Sequence, residues 1–155
     1  MSEGIKVVAR NRRAGHDFFL EERLEAGLVL VGSEIKSIRQ GKVSLQDGYV
    51  EARSGELWLL NVHIAGYEQA GIYGRVDPMR PRKLLMHRKQ IRELVARVRE
   101  RGYTVIPTMV YLKDGRAKVE IAVAKGKRQF DKRQDIAKRD SDREMRQALK
   151  ARERE

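Results

Sequence analysis

The sequence predicts a mainly β protein: a small, closed or nearly closed antiparallel β-barrel with two or three flanking helices and a basic C-terminal tail. Three observations carry that expectation. Apolar and polar residues alternate with period two on either side of glycine turns, helical periodicity in the body is confined to two short stretches, and the composition changes sharply after Ala124.

His16 to Leu20 and Gly27 to Val31 are the first candidate strands. The next element is helical, from Glu34 to Gln40, with Ser33 placed as N-cap, Ile35 and Ile38 turned inward and Gly41 after the last turn. Lys36 and Arg39 then share an exposed stripe. Tyr49 to Arg53 and Glu56 to Leu60 flank Ser54-Gly55, where glycine supplies the positive φ of a two-residue hairpin turn. In the longer helix, Arg88 to Arg101, residues Ile91, Leu94, Val95 and Val98 recur at i, i+3, i+4 and i+7, and Gly102 stops it. A second hairpin runs from Thr104 to Leu112, turns through Lys113-Asp114-Gly115-Arg116, and returns from Ala117 to Val123. Its return strand points Val119, Ile121 and Val123 one way and Lys118 and Glu120 the other, so one face is core and one is wet. Pro107 has no N–H for a ladder, which demands an edge or a bulge at that point. Short antiparallel strands with only two body helices favour a barrel over a parallel sheet.

The 155 residues, 41% hydrophobic, suffice for one domain with a core of its own, expected over residues 1 to 124. Residues 125 to 155 hold 12 basic and 7 acidic side chains with only Phe130, Ile136, Met145 and Leu149 as large apolar groups, too few to fold alone. The absence of cysteine excludes disulfides, thiolate metal sites and cysteine nucleophiles. No apolar run reaches membrane-spanning length and the N-terminus lacks a signal pattern, so the cytoplasm is the expected compartment. Against 34 Lys+Arg stand 22 Asp+Glu, a formal charge of +12, for which the abundant cytoplasmic counterpart is nucleic acid.

Motifs for chemistry are missing. His16, His63 and His87 are scattered, and the glutamates Glu21, Glu22 and Glu25 have no identifiable acid/base partner. Ala124-Lys125-Gly126-Lys127-Arg128 lacks the flanking residues of a nucleotide-binding loop, and Gly71-Ile72-Tyr73-Gly74 lacks helical neighbours. No catalytic residue, metal or cofactor is assigned. The basic segments are more informative. Arg80-Pro81-Arg82-Lys83 follows the turn signal Asp77-Pro78 and reads as a stiffened loop able to clamp phosphates, and Arg10, Arg12 and Arg13 read as part of an exposed N-terminal arm. In the tail, cations surround the single aromatic Phe130, a pattern suited to phosphate neutralisation plus base stacking. Asp135 with Arg139, and Asp142 with Arg146, stand acid-first at i, i+4, so an RNA surface that neutralised the tail would favour helix.

Asn11-Arg12-Arg13-Ala14, His16-Asp17, Glu25-Ala26-Gly27, Gly32-Ser33-Glu34-Ile35-Lys36-Ser37 and Asp77 through His87 occur in an order that resembles the small protein B family of bacterial tmRNA-binding proteins. The similarity continues through Ala124-Lys125-Gly126-Lys127-Arg128 and Asp131-Lys132-Arg133. The resemblance implies an oligonucleotide-binding-type barrel that holds the tRNA-like domain of tmRNA and delivers it to the A site of stalled ribosomes. It implies tmRNA, 16S rRNA, the 70S ribosome and elongation factor Tu with alanyl-tmRNA as partners, with no enzymatic activity, no cofactor and no membrane. By the same resemblance Glu25, Leu85, His87 and Lys118 contact tmRNA; Lys36, Arg39, Arg80, Arg82 and Lys83 are added from charge placement. In the tail it implies that Lys127, Arg128, Phe130, Asp131, Lys132 and Arg133 meet rRNA at the decoding centre. Phe130 would stack near the decoding nucleotides, and the tail would become helical in the empty mRNA channel. Phe18 and Phe130 stand where the family often has tyrosine, or histidine at the second, and Ser33 where threonine is commoner. The rival reading is a structural ribosomal or ribosome-assembly protein bound to rRNA.

Overall fold

The computed structural model describes residues 4–66, 76–100 and 102–127. Among the described residues, nine strands and three helices follow one another as β1 (Ile5–Arg10), α1 (Ala14–Asp17), β2 (Phe18–Leu28), α2 (Gly32–Arg39), β3 (Val43–Ser44), β4 (Tyr49–Arg53), β5 (Glu56–Leu60), β6 (His63–Ile64), β7 (Arg82–Leu85), α3 (Arg88–Arg99), β8 (Tyr103–Lys113) and β9 (Arg116–Gly126). The order β8-β4-β5-β7-β2-β9 closes on itself because β9 also pairs with β8, and every ladder is antiparallel. The result is a six-stranded ring. β1 joins it from outside, pairing with the C-terminal half of β8 from Met109 to Lys113, while Val105 in the N-terminal half pairs with Val50 of β4.

Both expected hairpins form. Ser54 and Gly55, and likewise Asp114 and Gly115, all have positive φ, the conformation that matches a two-residue turn to the twist of its strands. β8 shifts register against β9 between Pro107 and Met109, placing a bulge where proline cannot donate. Asn11 Nδ2 donates to the Pro107 carbonyl at 3.0 Å, and the Asn11 N–H to the Thr108 carbonyl at 2.8 Å, so this kink is held from outside. Inside the ring, Leu59, Leu84, Val110, Val119, Ile121 and Val123 are almost wholly buried, with Ile38 of α2 and Leu94 of α3 in the same cluster. A smaller cluster of Ala14, Ile106 and Ala124 lies under α1, with Phe18 and Leu20 packed against it.

Gly48 sits where the chain passes this core most tightly. A Cβ built there would stand 2.7 Å from Val62 Cγ2 and 2.8 Å from Pro107 Cγ. Gly48→Ala is therefore expected to cost about 1–3 kcal/mol of stability through overpacking, read as a lower urea midpoint at unchanged m-value.

Several expectations need correction. His16 and Asp17 belong to the turn of α1, and the two short strands proposed around them and around Gly27 are one strand of 11 residues that ends at Leu28. Its bulge between Leu20 and Arg23, with Glu21, Glu22 and Arg23 exposed, breaks the alternation that would have revealed it. Arg10 is the last residue of β1 rather than part of a free arm. β1 has mostly exposed residues and hence little alternation to read. Val31, not Ser33, occupies the N-cap position of α2, and Glu34, Ser37 and Ile38 form its buried face while Ile35 is only half-buried. The stop at Gly41 is as expected. The Gly41 N–H bonds to Ile38 and the Lys42 N–H to Ser37, with Gly41 at φ +73, closing the helix in a Schellman motif. α3 ends at Arg99, and Val98 is 39% exposed rather than inward. Arg82 and Lys83 lie in β7, not on a loop. The β9 ladder extends to Gly126, opposite Phe18. Gly71 to Gly74 and residues 128–155 lie outside the described residues. Among the described residues no helix is long and apolar enough to cross a membrane.

Candidate nucleic-acid interface

Strand register decides which of the candidate residues meet. Gly27 of β2 pairs with Leu85 of β7 on one side and Lys118 of β9 on the other. Cross-strand partners share a face, so these three positions form one outward row across three strands. A Cβ added at Gly27 would lie 3.3 Å from Leu85 Cβ and 3.7 Å from Lys118 Nζ; glycine lets an apolar and a cationic side chain close over the strand between them. Leu85 is 54% exposed, the most exposed of the large hydrophobic residues on this surface. Glu25, two residues earlier on β2 and therefore on the same face, accepts a hydrogen bond from the Tyr111 hydroxyl and lies 3.7 Å from Lys113 Nζ. Tyr111 itself stands opposite Lys118. Burial, then the hydrogen bond to Glu25 and the charge of that carboxylate, push the Tyr111 hydroxyl well above its ordinary range, so it remains a donor and holds Glu25 in place. His87 follows two residues after Leu85 as the exposed N-cap residue of α3.

The second group of candidates gathers around α2. Lys36 and Arg39 are exposed on it. Arg80 Nη2 donates to Glu34 Oε1 at 2.5 Å, with a third of the Arg80 side chain in solvent. Arg82 is different. Its side chain is 0% exposed: Nε donates to Glu34 Oε2 at 2.7 Å, Nη1 to the Val62 carbonyl at 2.5 Å and Nη2 to the Pro78 carbonyl at 2.9 Å. A guanidinium so enclosed cannot clamp a phosphate, and the expected role of Arg82 is corrected to that of a brace between β7 and α2. Burial alone would raise the Glu34 carboxyl, but hydrogen bonds from Arg80, the Val31 N–H and Arg82 outweigh it and hold the group below the usual carboxylate range. For Arg82, burial outweighs the pull of Glu34 and the shift is downward. Lys83, partly exposed, faces Glu56 Oε2 at 3.5 Å. β7 thus joins the two groups: its first residue braces α2 and its last, about 10 Å away, belongs to the Gly27 row.

Three features of the interface escaped the sequence reading. Tyr111 and Lys113 hold Glu25, and Gly27 sets the spacing of the row; each is a consequence of register, which period-two patterning does not specify. Lys127 is the last described residue of the chain. Its N–H bonds to the Asp17 carbonyl at 2.9 Å, and its ammonium lies 4.7 Å from the centre of the Phe19 ring. The tail residues from Arg128 through Arg133 lie outside the described residues. No group of His, Asp and Glu that could hold a metal ion is present among the described residues.

A small closed antiparallel barrel with an apolar, cationic and hydrogen-bonding row on a strongly basic chain belongs to the class of polyanion-binding barrels. Comparison with known proteins narrows this. The model of the family described as "SmpB protein" matches residues 8–151. A protein named SsrA-binding protein from Caldanaerobacter subterraneus subsp. tengcongensis is 55% identical over 96% of this chain and 93% of its own. Another of that name, from Alkaliphilus oremlandii, is 51% identical over 99% of both chains. A solved chain reported under "tmRNA-SmpB: a journey to the center of the bacterial ribosome" superposes with a TM-score of 0.66 at 43% identity, covering 78% of this chain and 85% of that one. The chain belongs to the SmpB family.

Proposed function

We propose that this chain is a tmRNA-binding protein of trans-translation, whose barrel holds the tRNA-like domain of tmRNA and delivers it to the A site of stalled ribosomes. The observation that carries the reading is the row at Gly27, where Leu85, Lys118 and a braced Glu25 converge on one exposed face of a protein of this family. Leu85 offers an apolar platform, Lys118 a cation for phosphate, and Glu25 an acceptor for base or ribose donors. A carboxylate repels bare phosphate, so its place in the row favours a folded RNA loop with bases and hydroxyls turned outward over a simple backbone groove. His87 extends the row, and Lys36, Arg39, Arg80 and Lys83 supply flanking phosphate contacts. Residues 125 to 155, of which Lys125 and Gly126 complete β9, carry the basic tail, in which Lys127, Arg128, Phe130, Asp131, Lys132 and Arg133 contact 16S rRNA and sense the vacant mRNA channel of the 70S ribosome. Elongation factor Tu accompanies the alanyl-tmRNA complex in the cytoplasm. The chain acts as a binding protein and needs no catalytic group or cofactor for this role.

Binding of tmRNA is expected to fall on the order of a thousandfold between 50 and 200 mM salt, as for a protein that neutralises about six phosphates. Leu85→Asp and Lys118→Glu each weaken binding at fixed salt, because each turns a favourable member of the row into a buried or repelled charge at the RNA surface. Filter-binding titrations of the full chain test both points; a flat salt response, or wild-type affinity in both variants, contradicts the reading.

A further inference from the structure

We infer that the groove between α3 and β7 is a second RNA contact, in which an arginine stripe on α3 receives a stretch of phosphate backbone leading away from the Gly27 row. The inference rests on the RNA-binding reading above and extends it to residues that reading leaves unused. The groove has a volume of about 780 Å³. Leu84, Met86, Ile91 and Val95 are among its apolar walls, and Leu85 lines it too, which makes it continuous with the row. Its rim is cationic. Arg88, Arg92 and Arg99 all line it, and the acid in the lining, Glu56, is paired with Lys83.

The spacing of the arginines gives the stripe its direction. At 3.6 residues per turn, positions 88, 92 and 99 fall within about 40° of one another around the helix, and they span roughly 16 Å along its axis. That is a straight line of three positive charges beside an apolar floor. A run of phosphates offers negative charge at regular intervals over such a length, with ribose or base faces to lie on the floor. An acidic protein segment could match the charge, but the continuity with a row suited to folded RNA favours the nucleic acid.

The helix itself bears a mark of this use. α3 has no acidic residue in its first turn, and the side chain of its N-cap residue, His87, makes no capping hydrogen bond. Arg88 and Lys89 stand there instead, although positive charge at a helix N-terminus opposes the macrodipole. A local choice that weakens the helix is consistent with selection for an anion outside it.

The test uses the full chain with Arg88→Ala, Arg92→Ala and Arg99→Ala combined, titrated with tmRNA at several salt concentrations. The slope of log affinity against log salt is expected to shrink by about two. A charge-matched control, Lys6→Ala with Arg10→Ala and Lys42→Ala, removes three exposed cations away from the Gly27 row and α3 and should leave the slope nearly as in the wild type. An unchanged slope in the stripe variant overturns the inference, as does an equal loss in the control, which would make the effect one of net charge alone. Loss of ribosomal tagging with an unchanged tmRNA slope would assign the stripe to a protein partner and overturn it as well. Leu85→Asp, measured in parallel, reports on the row: wild-type affinity there with a reduced slope in the stripe variant would sink the reading of the row and leave the stripe standing.

Discussion

Arg82→Ala is expected to lower the free energy of unfolding by about 3–5 kcal/mol, the range for breaking a buried ion pair from one side. The side chain is completely enclosed, and its loss strands two acceptors, a Glu34 carboxylate oxygen and the Val62 carbonyl, while the Pro78 carbonyl keeps only the Ile64 N–H. Arg80 keeps its bond to the other Glu34 oxygen, so the carboxylate is left partly paired, and chemical denaturation monitored by circular dichroism should find the variant folded but much weaker. A loss below about 1 kcal/mol, the level of an exposed pair, would contradict the brace. Replacing both partners, Arg82→Met with Glu34→Leu, should recover much of the loss because no buried charge then remains unpaired. The acid branch of the stability profile provides a second readout. Since the folded-state pKa of Glu34 lies below the ordinary value of 4.5, its contribution is fully present above that value and is lost as pH falls through the folded pKa. Glu34→Gln should therefore flatten the decline of stability below about pH 4.5 relative to wild type.

Deleting residues 131–155 is expected to leave tmRNA binding nearly intact while abolishing peptide tagging on stalled ribosomes. The reasoning is a division of labour between two charged parts. The Gly27 row belongs wholly to the barrel, whereas the tail has 19 charged residues of 31 and too few apolar groups for a core of its own. The path leaving the barrel starts from a defined point, because the β9 ladder runs to Gly126 and Lys127 is bonded to the carbonyl of Asp17. Parallel measurement of tmRNA affinity and of tagged peptide decides the matter: equal loss of both activities would contradict the division.

How much of this was legible beforehand depended on whether the signal was local. The two hairpins were, because Ser54-Gly55 and Asp114-Gly115 must adopt positive φ and their flanking strands each turn one face to the core. The bulge at Pro107 was legible for the same reason: a missing N–H is a property of the residue itself. The long β2 strand and the edge strand β1 were not. Their exposed, charged residues satisfy their backbones through neighbours that are remote in the chain, so no local alternation announces them. Among the site residues, Glu25, Leu85, His87 and Lys118 came from the family resemblance, while the reason they act together appears only in the pairing of Gly27 with both Leu85 and Lys118. The arginine stripe on α3 could have been found from helical spacing alone, by following positions 88, 92 and 99 around the helix.

The sequence by itself determined the mainly β class, the turns, the helix periodicities, the strong positive charge and the motifs that point to the family. These depend on residue type and on spacing along the chain. Only the tertiary structure decided that Arg82 is a brace rather than a phosphate clamp, that Glu25 is held by Tyr111, and that an apolar platform and a cation close over Gly27. Those outcomes turn on register, ring closure and burial, which bring together residues as far apart in the chain as 34 and 82 or 25 and 111. The physical reason is that a charge exposed in an isolated segment and one sealed inside a barrel have the same local sequence signature, and only the surrounding strands determine which solvent each one sees.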